Sequence, residues 1–315
     1  MKILFTADLH IKLRQKNVPV EWAKNRYSLL IEKLSELQAG CDLFIIGGDI
    51  FDRIPTMEEI EIYYDLVDSC NVSTLIYPGN HEMLTRNTTF FSYLKNSTSR
   101  LNHHVKVIDD IYSTDLFDII PYNKLKEFQP SKFFNEILFT HVRGDIPPHV
   151  KAEIDLDLLN HWELVLAGDL HSYENSQRNI LYPGSPVTTS FHRNSVDTGV
   201  IILDTDTLTH TWNKLGLPQL IRKTIQAGEA MPATSPDHTI YEIEGDMSEL
   251  GNIEDSELID KKVIKRETDT ALILTSEMSL QEEIKEYLLY ILQLSEETAE
   301  DVVGILNDNM DALDD

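Results

Sequence analysis

The stretch that decides the fold is ILFTADLH at residues 3–10, where three apolar residues lead into a polar cluster. The same arrangement recurs as LFIIGGDIFD at residues 43–52 and as TLIYPGNHE at residues 74–82. Helical apolar patterns separate these stretches, around residues 22–37 and from about Met57 to Ser69. Short strands that are apolar throughout and alternate with helices predict a βαβαβ unit whose sheet is covered on both faces.

Side chains able to bind a metal follow each of these apolar runs and two later ones. Ile137–Phe139 runs into Thr140 and His141, and Leu164–Leu166 runs into AGDLH at residues 167–171. Because ligands gather at the carboxyl ends of strands in α/β proteins, five such ends predict one shared site. A lone Asp, Asn or His more often serves a turn or a polar contact, but recurrence at five strand ends favours a common function. The candidates are Asp8, His10, Asp49, Asn80, His81, His141, Asp169 and His171.

The chemistry of this set points to divalent cations. Carboxylate and amide oxygens mixed with imidazole nitrogens suit Mn²⁺, Fe²⁺ or Zn²⁺, and the lack of thiolates in the set argues against a closed structural zinc site. Two neighbouring cations need a bridging carboxylate, and together they acidify a water molecule and hold a phosphoryl group for in-line displacement. Asp49, on the central apolar run, is the natural bridge.

The order of these motifs resembles that of the calcineurin-like metallophosphoesterases, which is D-x-H, G-D, G-N-H, a single His and G-H-x-H. The corresponding residues, spread over about residues 1–215, are Asp8–His10, Gly48–Asp49, Gly79–His81, His141 and Gly168–His171. The phrases GGDIFD, PGNHE and YPGSP, at residues 47–52, 78–82 and 182–186, resemble those of the SbcD-type nuclease subunits. The resemblance implies an α/β fold, a β-sandwich flanked by helices.

The resemblance also implies a role for each matching residue. Two divalent ions are expected, with Mn²⁺ favoured and Mg²⁺, Fe²⁺ or Zn²⁺ compatible. The first would be bound by Asp8, His10, Asp49 and His171, and the second by Asp49, Asn80 and His141.

Two further residues have implied roles of a different kind. His81 would be the general acid, which protonates the leaving oxygen without binding a metal, a task that suits an imidazole titrating near neutrality. The family has His where this chain has Asp169. A carboxylate can replace imidazole as a ligand of Mn²⁺, so Asp169 is predicted to bind the second ion, with a supporting role behind the ligands or a weak second site as the alternative.

Composition and charge leave the substrate open. The chain has 315 residues, of which 42% are hydrophobic and 25% charged, an ordinary globular composition that favours one large and one smaller domain. The net charge of −26 argues against a basic nucleic-acid-binding surface over the whole molecule. However, residues 1–226 carry 22 basic and 29 acidic side chains, or −7, and residues 227–315 carry 5 and 24, or −19. A DNA substrate is therefore not excluded for the first two thirds.

The cysteines and the apolar runs predict where in the cell the protein resides. Cys41 and Cys70 lie too far apart for a zinc knuckle and are too few for a disulfide scaffold, so both are predicted to be reduced and buried. No apolar run approaches a membrane span, and the N-terminus lacks a signal sequence. A cytoplasmic protein without membrane association is predicted, in the bacterial host if a phage encodes it.

The chain is predicted to have three parts: a catalytic domain at 1–217, a capping domain at 218–276 and a helical arm at 277–315. The α+β capping domain is suggested by strand-like pieces at Ile221–Ile225, Thr239–Ile243, Val263–Lys265 and Ala271–Leu274. In the arm, Ser279 and Glu282 form a capping-box pattern, and Ser295 is placed to start a second helix. The resemblance implies that this arm grips the coiled coil of an SbcC-like ATPase; packing against its own catalytic domain is the alternative.

These patterns together predict a two-metal phosphodiesterase that hydrolyses DNA, an Mn²⁺-dependent exonuclease with endonuclease activity. It would be the nuclease subunit of an SbcCD-like DNA repair and recombination complex, pairing as a homodimer. A small-molecule phosphodiesterase or phosphoprotein phosphatase is the alternative, because the same metal motifs serve all of them. The acidity favours the alternative, and the capping domain and arm favour the nuclease. A non-catalytic scaffold ranks last, because only position 169 departs from the motif set.

Overall fold

The computed structural model describes residues 1–86, 88–264, 278–292 and 294–311. Its strands are β1 (Lys2–Thr6), β2 (Leu43–Gly47), β3 (Ser73–Tyr77), β4 (Met83–Thr85), β5 (Thr88–Thr89), β6 (Val105–Val107), β7 (Tyr112–Ser113), β8 (Phe117–Ile120), β9 (Ile137–His141), β10 (Leu164–Gly168), β11 (Ile180–Leu181), β12 (Gly199–Asp204), β13 (Thr209–Lys214), β14 (Leu220–Gln226), β15 (His238–Gly245) and β16 (Ile259–Ile264). Its α-helices are α1 (Val20–Gln38), α2 (Met57–Asp68), α3 (Phe91–Leu101), α4 (Met247–Gly251), α5 (Leu280–Glu286) and α6 (Glu296–Asp311).

The first sheet contains the predicted βαβαβ unit, which is confirmed as β1, α1, β2, α2 and β3. Its strand order is β13-β12-β1-β2-β3-β6. Strands β1, β2, β3 and β6 are parallel, β12 is antiparallel to β1, and β13 is antiparallel to β12. One face packs on α1, α2 and α3, where Leu4 and Phe44 join a buried cluster with Tyr27 and Tyr63. The stretches 3–5 of β1, 43–46 of β2 and 75–77 of β3 are continuously apolar because this sheet is buried on both faces.

The runs at residues 137–139 and 164–166 form β9 and β10, which lie in a second sheet of order β11-β10-β9-β8-β7. The two sheets pack face to face, and the ring of Phe5 on the first sheet lies 5.4 Å from that of Phe139 on the second. The outer face of the second sheet is covered by a loop-rich layer with short 3₁₀ turns around the buried Trp162. The result is a β-sandwich that brings the carboxyl ends of parallel strands from two sheets to one edge.

A third sheet follows the sandwich, with β14, β15 and β16 parallel and α4 between the last two. The predicted strands at Ile221–Ile225 and Thr239–Ile243 lie within β14 and β15. Trp22 Nε1 on α1 donates to the Pro236 carbonyl at 2.9 Å, which ties this sheet to the sandwich. Lys265 and the predicted strand at Ala271–Leu274 lie outside the described residues.

The C-terminal segment forms the two predicted helices. The capping box of Ser279 and Glu282 starts α5, which continues as a π-helical turn through Ile291. The Ser295 hydroxyl accepts from the Thr298 N–H at 3.2 Å at the start of α6. Among the residues that the structure describes, no helix combines the length and the apolar character needed to cross a membrane.

Candidate metal centre

The loops that follow β1 and β2 run side by side and place the first candidate ligands. The Asp8 N–H donates to the Gly48 carbonyl at 3.0 Å, and the His10 N–H donates to the Asp49 carbonyl at 2.9 Å. Asp8, His10 and Asp49 have φ values of 58°, 46° and 51°, in the left-handed region that non-glycine residues rarely adopt. Such strained backbone persists only where the surroundings enforce it, and it clusters at functional sites.

Asp49 lies between two groups of donor atoms. Its Oδ2 is 3.8 Å from His10 Nε2, which in turn lies 3.0 Å from His171 Nε2 and 4.0 Å from Asp8 Oδ1. The same Oδ2 is 3.4 Å from His141 Nε2. Three sets of donor atoms, each within 4.8 Å of one another, could hold an ion: Asp8, His10 and His171; Asp8, Asp49 and His141; and His10, Asp49 and His81.

His141 is fully buried and held in one orientation. Its Nδ1 donates to the Gly47 carbonyl at 2.9 Å, so Nε2 is the nitrogen that faces the other candidate ligands. Nε2 lies 2.9 Å from Asn80 Oδ1, which brings the predicted amide ligand next to the predicted imidazole ligand. The ring fits closely against two glycines, since a Cβ on Gly48 or Gly168 would approach Nδ1 to 2.6 or 2.5 Å.

His81 occupies the open side of the centre. Its backbone N–H donates to Asp49 Oδ1 at 2.9 Å, and its Nδ1 donates to the Asp52 carbonyl at 2.5 Å. The other ring nitrogen, Nε2, lies 3.8 Å from Asp49 Oδ2, and 36% of the side chain is exposed. The imidazole is therefore fixed at one nitrogen and faces both the donor cluster and solvent with the other.

Asp169 joins the centre through a contact that the sequence did not reveal. Its backbone N–H donates to both Asp8 oxygens at 3.0 and 3.1 Å, and its Oδ1 lies 4.0 Å from His141 Nε2. Both carboxylate oxygens also accept from Arg143, at 2.9 Å from Nε and 3.1 Å from a terminal nitrogen. Arg143 follows His141 by two residues, and that proximity was the only signal that could have found it.

Glu82 was also missed as a supporting group. It is fully buried, and its carboxylate accepts the backbone N–H groups of Asp49 at 2.9 Å, Phe51 at 3.0 Å and Gly79 at 2.8 Å. Burial, and after it the negative charge of Asp49, raises the pKa of Glu82 to about 7, against the N–H donors of Phe51 and Gly79. This side chain joins the loops after β2 and β3 and so fixes the position of Asp49. Its place directly after His81 gave no indication of that function.

Burial dominates the electrostatics of the centre. It raises the pKa of Asp8 well above its ordinary value and lowers the pKa of His10 to about 3. Burial also opposes the charged forms of Asp49 and His141, but their opposite charges lie side by side, so the pKa of Asp49 is lowered and that of His141 is raised. A divalent cation offsets the cost of such buried carboxylates. These oxygen and nitrogen donors therefore fit a divalent metal ion.

Comparison with known proteins agrees with this geometry. The family model described as Calcineurin-like phosphoesterase matches residues 1–198. The chain is 43% identical over 307 residues to "Probable exonuclease subunit 1" of Escherichia phage T5, covering 94% of each protein. The crystal structure of TT1561 of Thermus thermophilus matches with a TM-score of 0.44 and 11% identity, over 68% of this chain and 98% of that one. The family match includes every predicted site residue, and the chain therefore belongs to the calcineurin-like phosphoesterase family.

Proposed function

We propose that this protein is a two-metal phosphodiesterase that cuts DNA ends, as the Mn²⁺-dependent nuclease subunit of an SbcCD-like ATP-dependent complex. The observation that carries the proposal is the position of Asp49 Oδ2, 3.8 Å from His10 Nε2, 3.4 Å from His141 Nε2 and 3.8 Å from His81 Nε2. One carboxylate thus lies between two donor groups, with a proton-carrying imidazole beside it. The name of the phage relative, an exonuclease subunit, supports a DNA substrate and a partner.

The donor groups are assigned to two ions. Together the ions would supply an activated water and neutralise the charge of the phosphate. The first would be held by Asp8, His10, Asp49 and His171, and the second by Asn80, His141 and Asp49, with Asp169 at the edge of the second site.

The protein's own groups position the reaction. The Asp52 carbonyl holds the His81 ring through Nδ1–H, so that Nε2 faces the centre. The doubly protonated ring would give its Nε2 proton to the leaving oxygen and keep its Nδ1 proton on that carbonyl. Asp49 also fixes His81, by accepting its backbone N–H. Glu82 and the close-packed glycines then prevent Asp49 and His141 from shifting. A displacement of about 1 Å at such a centre can cost on the order of 100-fold in rate.

The C-terminal arm is proposed to bind the ATPase partner. Its two helices carry exposed apolar side chains, including Leu280 and Tyr287 in the first at 54% and 47% exposure and Val302 in α6 at 39%. Apolar positions on a helix pair with acidic surroundings suit a basic groove on a coiled-coil protein. The partner would then supply much of the positive charge that DNA binding needs. The resemblance to SbcD-type subunits further supports a homodimer of this chain within the complex.

The test compares two substrates with one preparation. The full chain is incubated in Mn²⁺ with linear duplex DNA and, separately, with bis(p-nitrophenyl) phosphate, alongside H81A and D49N variants. Degradation of DNA that both substitutions remove is the expected result. Hydrolysis of the small diester with DNA left intact, both alone and with an SbcC-like subunit present, would reject the nuclease in favour of a small-molecule phosphodiesterase.

The partner proposal has its own test. Deletion of residues 279–315 should abolish copurification with an SbcC-like ATPase and leave hydrolysis of bis(p-nitrophenyl) phosphate unchanged. If the shortened chain still binds the ATPase, the arm is not the interface. If it loses the small-diester activity, the arm belongs to the catalytic domain instead.

A further inference from the structure

The Arg143 guanidinium lies beside the metal centre and has N–H donors that Asp169 does not use. Two of its N–H groups serve Asp169, at 2.9 and 3.1 Å. A guanidinium has five N–H groups, so three remain beyond this pair, and 44% of the Arg143 side chain is exposed. The residue can therefore bind a second anionic group from the solvent side without releasing Asp169.

Asp169 fixes where that second group would bind. A bidentate pair between a guanidinium and a carboxylate sets the plane as well as the position of the guanidinium. Asp169 is itself held by its backbone N–H on Asp8, and its Oδ1 lies 4.0 Å from His141 Nε2. The Asp169 side chain thus lies between Arg143 and the donor group of His141 and Asn80.

A cleft with cationic residues opens on this side of the centre. It has a volume of about 490 Å³ and is lined by Arg86 and Lys126 together with Glu127. Tyr122 lines it too, and the Tyr122 ring lies 6.0 Å from the ring of His141. The cleft therefore begins beside the second donor group and extends a surface to which phosphates are attracted.

A second cleft, beside His171, has a different charge. It has a volume of about 620 Å³, reaches His171, and is lined by hydroxyl side chains, by His192 and by the acidic Glu174 and Asp197. Carboxylates repel a phosphate backbone. Of these two clefts, the one that Tyr122 connects to the second donor group is the better match for DNA.

We propose that Arg143 is a phosphate-binding residue, which contacts a non-bridging oxygen of the DNA strand at the second-metal side, and that Asp169 is its positioning residue. The proposal rests on the proposed function, since it takes DNA as the substrate. A guanidinium is suited to this task because its planar fork matches phosphate oxygens and its charge is permanent.

The experiment measures DNA binding without cleavage. Full-length chains that all carry H81A are titrated in Mn²⁺ against a fluorescein-labelled 30-base-pair duplex, by anisotropy, at several salt concentrations. R143A, R143K and D169N are compared with R178A, a control that removes another exposed arginine, one paired with Asp157. Mn²⁺ stoichiometry is measured for each variant by calorimetry.

Three results are expected. R143A weakens DNA binding about tenfold and lowers the slope of log K against log salt by about 0.9, the value for one lost phosphate contact. R143K keeps the slope because it keeps the charge, but restores only part of the affinity because it lacks the fork. D169N weakens binding less than R143A and keeps the slope, because the guanidinium remains but is held less firmly.

Two outcomes would overturn the proposal. The first is an R143A chain that binds DNA with the affinity and salt slope of the R178A control. The second is an R143A chain with fewer bound Mn²⁺ ions, which would make Arg143 a support of the metal site. If the parent chain binds no DNA either alone or together with an SbcC-like subunit, the proposed function fails separately. The KM for bis(p-nitrophenyl) phosphate is then measured in chains without H81A. A higher KM in R143A supports phosphate binding by Arg143, and an unchanged KM rejects it.

Discussion

The sandwich, which spans β1 to β13, and the C-terminal third of the chain use acidic residues differently. In the sandwich, Asp8, Asp49 and Glu82 are buried, and each accepts backbone N–H groups that fix its position. In the C-terminal third, where 24 acidic residues accompany 5 basic ones among residues 227–315, acids such as Glu254 and Asp255 lie exposed.

The difference distinguishes the acidic residues that serve the metal centre from those that lie on the surface. Burying a carboxylate is costly, so a fold retains it only with compensating donors or a cation. Exposed acids carry no such desolvation cost, and their negative electrostatic potential repels DNA and attracts basic partners. We therefore expect substitutions in the sandwich to change metal binding and catalysis, and those in the C-terminal third to change assembly.

The largest effect is expected for Asp49→Asn. Asparagine tolerates the left-handed backbone at this position, so the fold should survive while the shared negative charge is lost. Metal catalysis contributes several kcal/mol, so hydrolysis of bis(p-nitrophenyl) phosphate should fall about 1000-fold. Mn²⁺ should also no longer raise the melting temperature, as it does for a protein that binds it only when folded. The exposed Asp65→Asn on α2 is the control, and an equal Mn²⁺-induced shift in both variants would contradict the assignment.

A pair of glycines tests the contrast directly. A Cβ on Gly168 would approach His141 Nδ1 to 2.5 Å and the Gly47 carbonyl to 2.6 Å, whereas one on Gly251 meets nothing within 4 Å. Gly168→Ala should lower the free energy of unfolding by about 1–3 kcal/mol and the small-diester rate about 100-fold. Gly251→Ala, in α4, should leave the rate unchanged and change stability by less than about 1 kcal/mol. Thermal unfolding and steady-state rates measure both, and equal effects would remove the distinction.

A smaller effect is expected for Glu82→Gln. The amide replaces one acceptor oxygen with a donor, which then faces a backbone N–H of the loop that holds Asp49. An unsatisfied buried donor costs about 1–3 kcal/mol of unfolding free energy. Because Glu82 positions a metal ligand, Mn²⁺ affinity should also fall roughly 10- to 100-fold. Calorimetry measures this against the exposed Glu163→Gln, and unchanged affinity in E82Q would show that Asp49 is held by other contacts.

The smallest effect is expected at the junction of the two regions. Arg193 donates to Thr224 at 2.7 Å and to the buried Glu242 at 3.1 Å, and so joins the sandwich to the third sheet. Arg193→Ala should cost up to about 1 kcal/mol, because the arginine is largely exposed and Lys261 still pairs with Glu242. Hydrogen exchange should speed up in β14 and β15 while small-diester hydrolysis is retained, with Arg100→Ala as the control. A loss of that activity would place the third sheet within the catalytic unit.

Local sequence patterns were enough to predict the secondary-structure elements and the candidate donors. The βαβαβ unit, the capping box at Ser279 and the polar ends of the strands could be predicted because periodicity, caps and turns depend on neighbouring residues. The eight candidates also follow from their places at strand ends, although their individual roles remain predictions.

The tertiary structure shows how those pieces meet. It placed β9 and β10 in a second sheet, made Glu82 accept N–H groups from the loop at Asp49, and paired Arg143 with Asp169. These contacts join residues that lie 26 or more positions apart, as in the pair of Arg143 and Asp169. No local pattern encodes such a contact, because packing of the whole sandwich fixes which loops share an edge.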